Sequence, residues 1–157
     1  MPLVSDPLDI HTSHITTLKE RDLLQMLDSL ELSYKKISPN KFRITFPVDI
    51  GEHRSTFSTQ ASIREHPKCL DLDTALAMSD FEKLGFSAAE VLHRVNEWNF
   101  QQSRFITASI DPDGDVRLRL STVVQFGTSY NHVSTMIMGF CNVWAAQCIK
   151  FIFCFSD

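Results

Sequence analysis

SAAEVLHRVNEWNFQQSRFITASIDPDGDVRLRLSTVVQF, residues 87–126, contains one helix, one tight turn and two strands. Ser87 can cap a helix, with Glu90 three residues on to complete a capping box. Phe86 and Val91 have the spacing of a hydrophobic staple. Val91, Val95 and Trp98 then share one helical face, with Leu92 beside them. The helix is expected over 87–99. In the strand expected over 104–110, Ile106, Ala108 and Ile110 alternate with Thr107 and Ser109. In the strand expected over 115–126, Val116, Leu118 and Leu120 alternate with Arg117, Arg119 and Ser121. A period of two means that one face packs and the other meets water. Between the strands, Asp111-Pro112-Asp113-Gly114 supplies turn chemistry: a fixed φ at proline and tolerance of positive φ at Gly114.

The same signals extend outward. Thr17 and Glu20 suggest a capping box for a helix running to Leu30, with Leu23, Leu27 and Leu30 on one side. Strands are expected over 33–37 and 41–48, joined at Ser38-Pro39-Asn40. In the second, Phe42, Ile44, Phe46 and Val48 alternate with polar residues, and Pro47 marks a strand end or an edge. Two more strands are expected over 54–63 and 69–76. Gly127 breaks the last strand, and Ser129 can cap a final helix over 130–152. The expected order is α-β-β-β-β-α-β-β-α. Strands grouped as hairpins favour an antiparallel sheet with helices on one face, an α+β fold. A length of 157 residues suits one domain over 16–157, with residues 1–15 as a loose tail that lacks the pattern of a signal peptide.

Composition narrows function more than it names it. Apolar residues make up 43% and charged residues 22%, and the net charge is −4. The fifteen basic residues are scattered, which argues against a nucleic-acid partner. Cys69, Cys141, Cys148 and Cys154 form no CxxC pair, so a reducing compartment is expected. His11 and His14 lack companion ligands, and His93 and His132 lack an HExxH pattern, so no metal is expected. Asp111, Asp113 and Asp115 resemble the start of a calcium loop, but Val116 stands where glycine is required and Thr122 where glutamate is. Asp71 and Asp73 share a strand face, most simply its wet side. Nucleophile-elbow, P-loop and dinucleotide motifs are absent, so no catalytic residue and no cofactor are assigned.

The final helix carries the one unusual signal. From residue 120 to residue 149 there is no Asp, Glu, Lys or Arg. Val133, Met136 or Ile137, Phe140, Trp144 and Cys148 form one apolar stripe; Met138, Cys141, Ala145 and Ile149 form another. Such a helix must be buried on several sides or lie in a membrane. Residues 137–155 approach a bilayer's thickness, but Asn142, Gln147 and Lys150 interrupt them. Burial against the sheet and a second subunit is the preferred reading. Met136, Met138, Phe140 and Trp144 are the candidate protein-binding residues, of the adaptable apolar kind found at interfaces.

Residues 91–127 resemble the YbjN family, in the Asn-x-x-Asn helix end at Asn96 and Asn99, the short polar bridge, the "DGDV" hairpin, and Gly-x-Ser before a long helix. The order of elements from Thr17 onward is similar to that family, although the apolar end departs from its more charged helix. The resemblance implies a type III secretion chaperone-like fold, bacterial origin and a sensory-transduction or regulatory role with no catalytic residues to carry over. Asn96, Trp98 and Asn99 match its recurring positions and read as a lock of the helix end onto the hairpin. The expected function is therefore a non-enzymatic, cytoplasmic, protein-binding module, chaperone-like or regulatory, working as a homodimer. The alternatives are a small-molecule sensor or enzyme with a pocket between helices and sheet, and a membrane-associated protein held by the C-terminal helix.

Overall fold

Alternating apolar residues on six strands meet on one face of a single antiparallel sheet. A computed structural model describes residues 14–50, 52–101 and 105–153. In chain order the elements are β1 (His14–Thr17), α1 (Glu20–Ser29), β2 (Ser33–Ser38), β3 (Lys41–Ile50), β4 (His53–Glu65) and β5 (Lys68–Leu76). There follow α2 (Met78–Lys83), α3 (Ala88–Gln101), β6 (Thr107–Ile110), β7 (Val116–Val123) and β8 (Gln125–Ser129). The chain then enters α4 (Tyr130–Gly139), a π-helical segment (Phe140–Trp144) and α5 (Ala145–Ile152). The main sheet has the order β2-β3-β4-β5-β7-β6, and β1 pairs with β8 in a separate two-stranded ladder. The fold is α+β, as the alternation indicates.

The register explains the core. Phe42 faces Ala61, which faces Leu72, which faces Leu120; Phe46 faces Phe57, and Leu76 faces Val116. These side chains join Leu23, Met26, Leu27, Val91, Val95, Ile137 and Ile149 from the helices in one apolar cluster. The opposite face is wet. There Asp73 is held between Arg117 (3.0 Å) and Arg119 (2.8 Å), and Arg64 pairs with Asp71 (3.0 Å). Asp71 and Asp73 are thus cross-strand charge partners on a solvent face, of modest energetic weight.

Local chemistry corrects several boundaries. The loose tail expected over 1–15 overlaps β1, which begins at His14; residues 1–13 lie outside the described residues. The Thr17 capping box does not form. Helix α1 starts at Glu20, and Asp22 accepts the Lys19 N–H at 2.9 Å. Glu20 is spent elsewhere: its carboxylate accepts the Asn40 N–H at 2.8 Å and pairs with Lys36, and both bonds hold its pKa below the ordinary carboxylate value. It thereby fastens the β2–β3 turn, where Asn40 has φ +59°. The Ser87 box does form, with Ser87 N–H donating to Glu90 (2.8 Å) and Glu90 N–H donating to Ser87 Oγ (3.3 Å). The strand expected over 115–126 divides into β7 and β8 around Val124, whose N–H donates to the Lys68 carbonyl. Helix α2 was unforeseen, being a single short turn with one buried residue, Phe81. Pro47 lies inside β3 and beyond the last β2 pair at Thr45, so its missing N–H removes no ladder bond.

Candidate interaction surface

The final helix is continuous over 130–152 but changes pitch at the five-residue π segment. A π turn widens the spacing of successive buried positions and rephases the helix. Before it, Tyr130, Val133 and Ile137 are buried; within it, Phe140 and Cys141; after it, Ala145, Cys148, Ile149 and Ile152. The stripe expected to run from Phe140 to Trp144 to Cys148 therefore slips. Ala145 takes the inward position and Trp144 turns to the rim, half-buried.

That slip decides which expected site residues are available. Phe140 is 0% exposed and belongs to the core, which removes it from the candidate binding set: it continues the buried line of Val133 and Ile137 at ordinary helical spacing, ahead of the pitch change. Met136, Met138 and Trp144 are half-buried. Met138 and Trp144 line a shallow groove of about 470 Å³ with Leu30, Thr135, Gly139 and Val143. Its floor needs Gly139, because a Cβ there would lie 2.6 Å from the Trp144 ring. Trp144 is held flat by that close approach and by Phe105, stacked at 4.4 Å with 13° between planes. Val143 remains 45% exposed and Phe105, stacked on Trp144 outside the lining, 54%, while Asn131, Ser134 and Asn142 add polar groups to the groove. Sequence reasoning missed Val143 and Phe105. Phe105 follows residues with no periodic signal, and Val143 belongs to neither apolar stripe of the last helix.

The helix α3 lock sits beside this surface. Trp98 Nε1–H donates to the Ile106 carbonyl at 3.2 Å. Asn99 Nδ2–H donates to the Ala108 carbonyl at 2.7 Å, and its Oδ1 accepts the Ala108 N–H at 3.0 Å. One side-chain amide thus replaces a neighbouring strand along the edge of β6. Asn99 is inside the helix, so it bonds the strand rather than the helix's own last carbonyls. Asn96 points to solvent and takes no part in the lock. Gly114, at φ +89°, closes the β6–β7 turn, where Asp111 accepts the N–H groups of Asp113 (3.0 Å) and Asp115 (2.9 Å). Asp115 in turn accepts the Met78 N–H at 2.9 Å and starts α2. Asp111 and Asp115 thus act as acceptors of backbone N–H groups.

No group of three or more His, Cys, Asp or Glu with metal-holding geometry occurs among the described residues. His93 and His132 are exposed, and His132 N–H donates to its cap, Ser129 (3.1 Å). Cys69, Cys141 and Cys148 are buried free thiols. Burial pushes the Cys141 thiol from 9.0 to about 12 and Cys148 upward as well. A raised folded pKa leaves stability intact below pH 9 and removes it as pH rises toward about 12. Both thiols are therefore expected to resist iodoacetamide at pH 8 in the folded protein and to alkylate in urea; mass spectrometry of Cys141 and Cys148 peptides checks this. The 130–152 helix is long and apolar enough to cross a membrane, yet its inward stripe is packed against the sheet and α3, with Phe151 against Trp98 at 5.6 Å. Comparison with protein-family models, with curated proteins and with solved structures finds no match.

Proposed function

We propose that this chain is a non-enzymatic protein-binding module, chaperone-like or regulatory, that works as a homodimer through the groove beside the π segment. The observation that carries this reading is the apolar groove itself. Trp144 is rigidly placed by Gly139 and the Phe105 stack, and the groove exposes Val143, with Phe105 exposed beside it. Rigid aromatic and methionine side chains around a shallow apolar depression have the composition of an interface centre. A two-fold pair would bury the same patch from both copies, each placing Val143 toward the other's groove. The resemblance of residues 91–127 to the YbjN family supports the regulatory and bacterial parts of the reading.

Size-exclusion chromatography with light scattering tests it. The wild type is expected to run as a dimer at tens of micromolar. Val143→Glu is expected to run as a monomer with an unchanged circular-dichroism spectrum, because a charge cannot be seated in that groove without a partner. A wild-type monomer across the concentration range would remove the dimer.

A further inference from the structure

The wet face of the main sheet is unevenly charged. Direct partners across a ladder point to the same face, and Phe42, Ile44, Ala61 and Leu72 fix the inward one. Lys35 is the ladder partner of Arg43 between β2 and β3, and Lys41 lies two residues before Arg43. These three cations therefore stand together on the wet face, and all three are exposed. The fold gathers charges that the sequence disperses.

Their surroundings do not neutralise them. Each of the six other basic residues on the main sheet has a carboxylate partner. Lys35, Lys41 and Arg43 have none among the described residues. The next strand sets neutral Gln60 opposite Arg43 and neutral Ser62 opposite Lys41. The strand beyond it carries Asp73 and Asp71, which are already engaged by Arg117, Arg119 and Arg64.

Like charges directly opposite each other weaken a sheet. Lys35 has a local reason to be there, since a lysine on an edge strand deters unwanted pairing and β2 is an edge. Arg43 and Lys41 lie one strand further in, where no edge needs guarding. The sheet thus keeps a repulsive Lys35–Arg43 pair that serves none of its own contacts.

Spacing and charge define what would relieve it. Lys41 and Arg43 are two strand residues apart, about 6.8 Å, and an extended peptide repeats its same-side groups at that interval. A nucleic acid fits less well. Among the described residues of this face none is aromatic, so no base can stack. Asp71, Asp73 and a net charge of −4 also oppose a long polyanion.

We propose that the β2–β3 part of the wet face binds an extended acidic segment of a partner protein. Carboxylates at alternate positions of that segment lie against Lys41 and Arg43, with Lys35 adding a third charge at the Arg43 end. This gives the protein-binding reading a partner chemistry, but on a surface separate from the π-segment groove and without need of the dimer.

A synthetic peptide of alternating glutamate and serine, titrated into the isotope-labelled full chain, tests this by NMR. Shifts are expected at the Lys35, Lys41, Arg43, Gln60 and Ser62 amides, with a Kd on the order of 0.1–1 mM that weakens as salt rises. The same peptide with glutamine for glutamate should not bind. That exchange leaves the protein unaltered, so a folding defect cannot mimic it. Lys41→Glu combined with Arg43→Glu should weaken binding about tenfold or more and should instead take up a lysine–serine peptide. Arg43→Glu alone should melt about 1–4 °C above wild type, because glutamate opposite Lys35 turns a repulsive pair into an attractive one. Val143→Glu should leave binding unchanged, and a monomeric wild type that binds the peptide would remove the dimer and leave this site standing. The proposal is overturned if the glutamine peptide binds equally well, if the shifts map to the α4–α5 surface, or if the double reversal binds as wild type does. It is also overturned if a single-stranded oligonucleotide or vesicles of anionic phospholipid bind the same amides more tightly than the peptide.

Discussion

Phe140→Ala is expected to lower stability by about 3–5 kcal/mol, the usual cost of removing a fully buried phenylalanine and leaving a cavity. For a chain of this size that is a fall of roughly 6–20 °C in Tm. The ring sits at the π segment, where β3 and α5 both approach, and every part of it is out of water. Phe140→Leu should restore most of the loss, because it refills most of the volume. Thermal melts by circular dichroism measure both variants. A melting temperature close to wild type with a loss of self-association would place Phe140 on a surface, contrary to its burial here.

The second large effect is expected at Asn99. Its amide satisfies both outward-facing backbone groups of Ala108, which is itself buried. Asn99→Ala strands a donor and an acceptor together, at a cost of about 2–3 kcal/mol once partial access of water to an edge strand is allowed for. Asn99→Asp should not rescue it: the carboxylate can still accept the Ala108 N–H, but it opposes the Ala108 carbonyl. Urea denaturation gives the free energies, and hydrogen exchange at the Ala108 amide reports the lock directly. The alanine variant should also aggregate more readily, since it uncovers an edge. An N99A stability within about 0.5 kcal/mol of wild type would mean that water replaces the amide without loss.

How much of this was legible in the sequence varies by element for physical reasons. The alternations in β3 and β7 are local consequences of the strand repeat, so Phe42, Ile44, Val116 and Leu118 could be assigned inward without knowing their partners. The Ser87–Glu90 box is equally local. The Thr17 box failed because Glu20 found a better use twenty residues away at Asn40, a competition that no local pattern records. Trp98 and Asn99 were visible as a helix end, yet their bonds go to a strand whose position depends on the intervening turn.

The candidate surface was harder to read. Met138 and Trp144 were legible as surplus apolar residues, but Phe140 and Trp144 could not be told apart by spacing alone. An ordinary helix would keep both on one stripe, and the π segment separates them. The rim residues Val143 and Phe105 come together with Trp144 only across the fold.

The sequence by itself determined the α+β class, the antiparallel hairpins, the inward face of each long strand and the excess of apolar side chains in the last helix, because each follows from a repeat of two or from short-range capping and turn chemistry. Only the tertiary structure decided the strand order, the pitch change that turns Trp144 outward and brings Ala145 in, and the Asn99 bridge. Those features depend on contacts between residues distant in the chain, where competing partners, and no local preference, set the outcome.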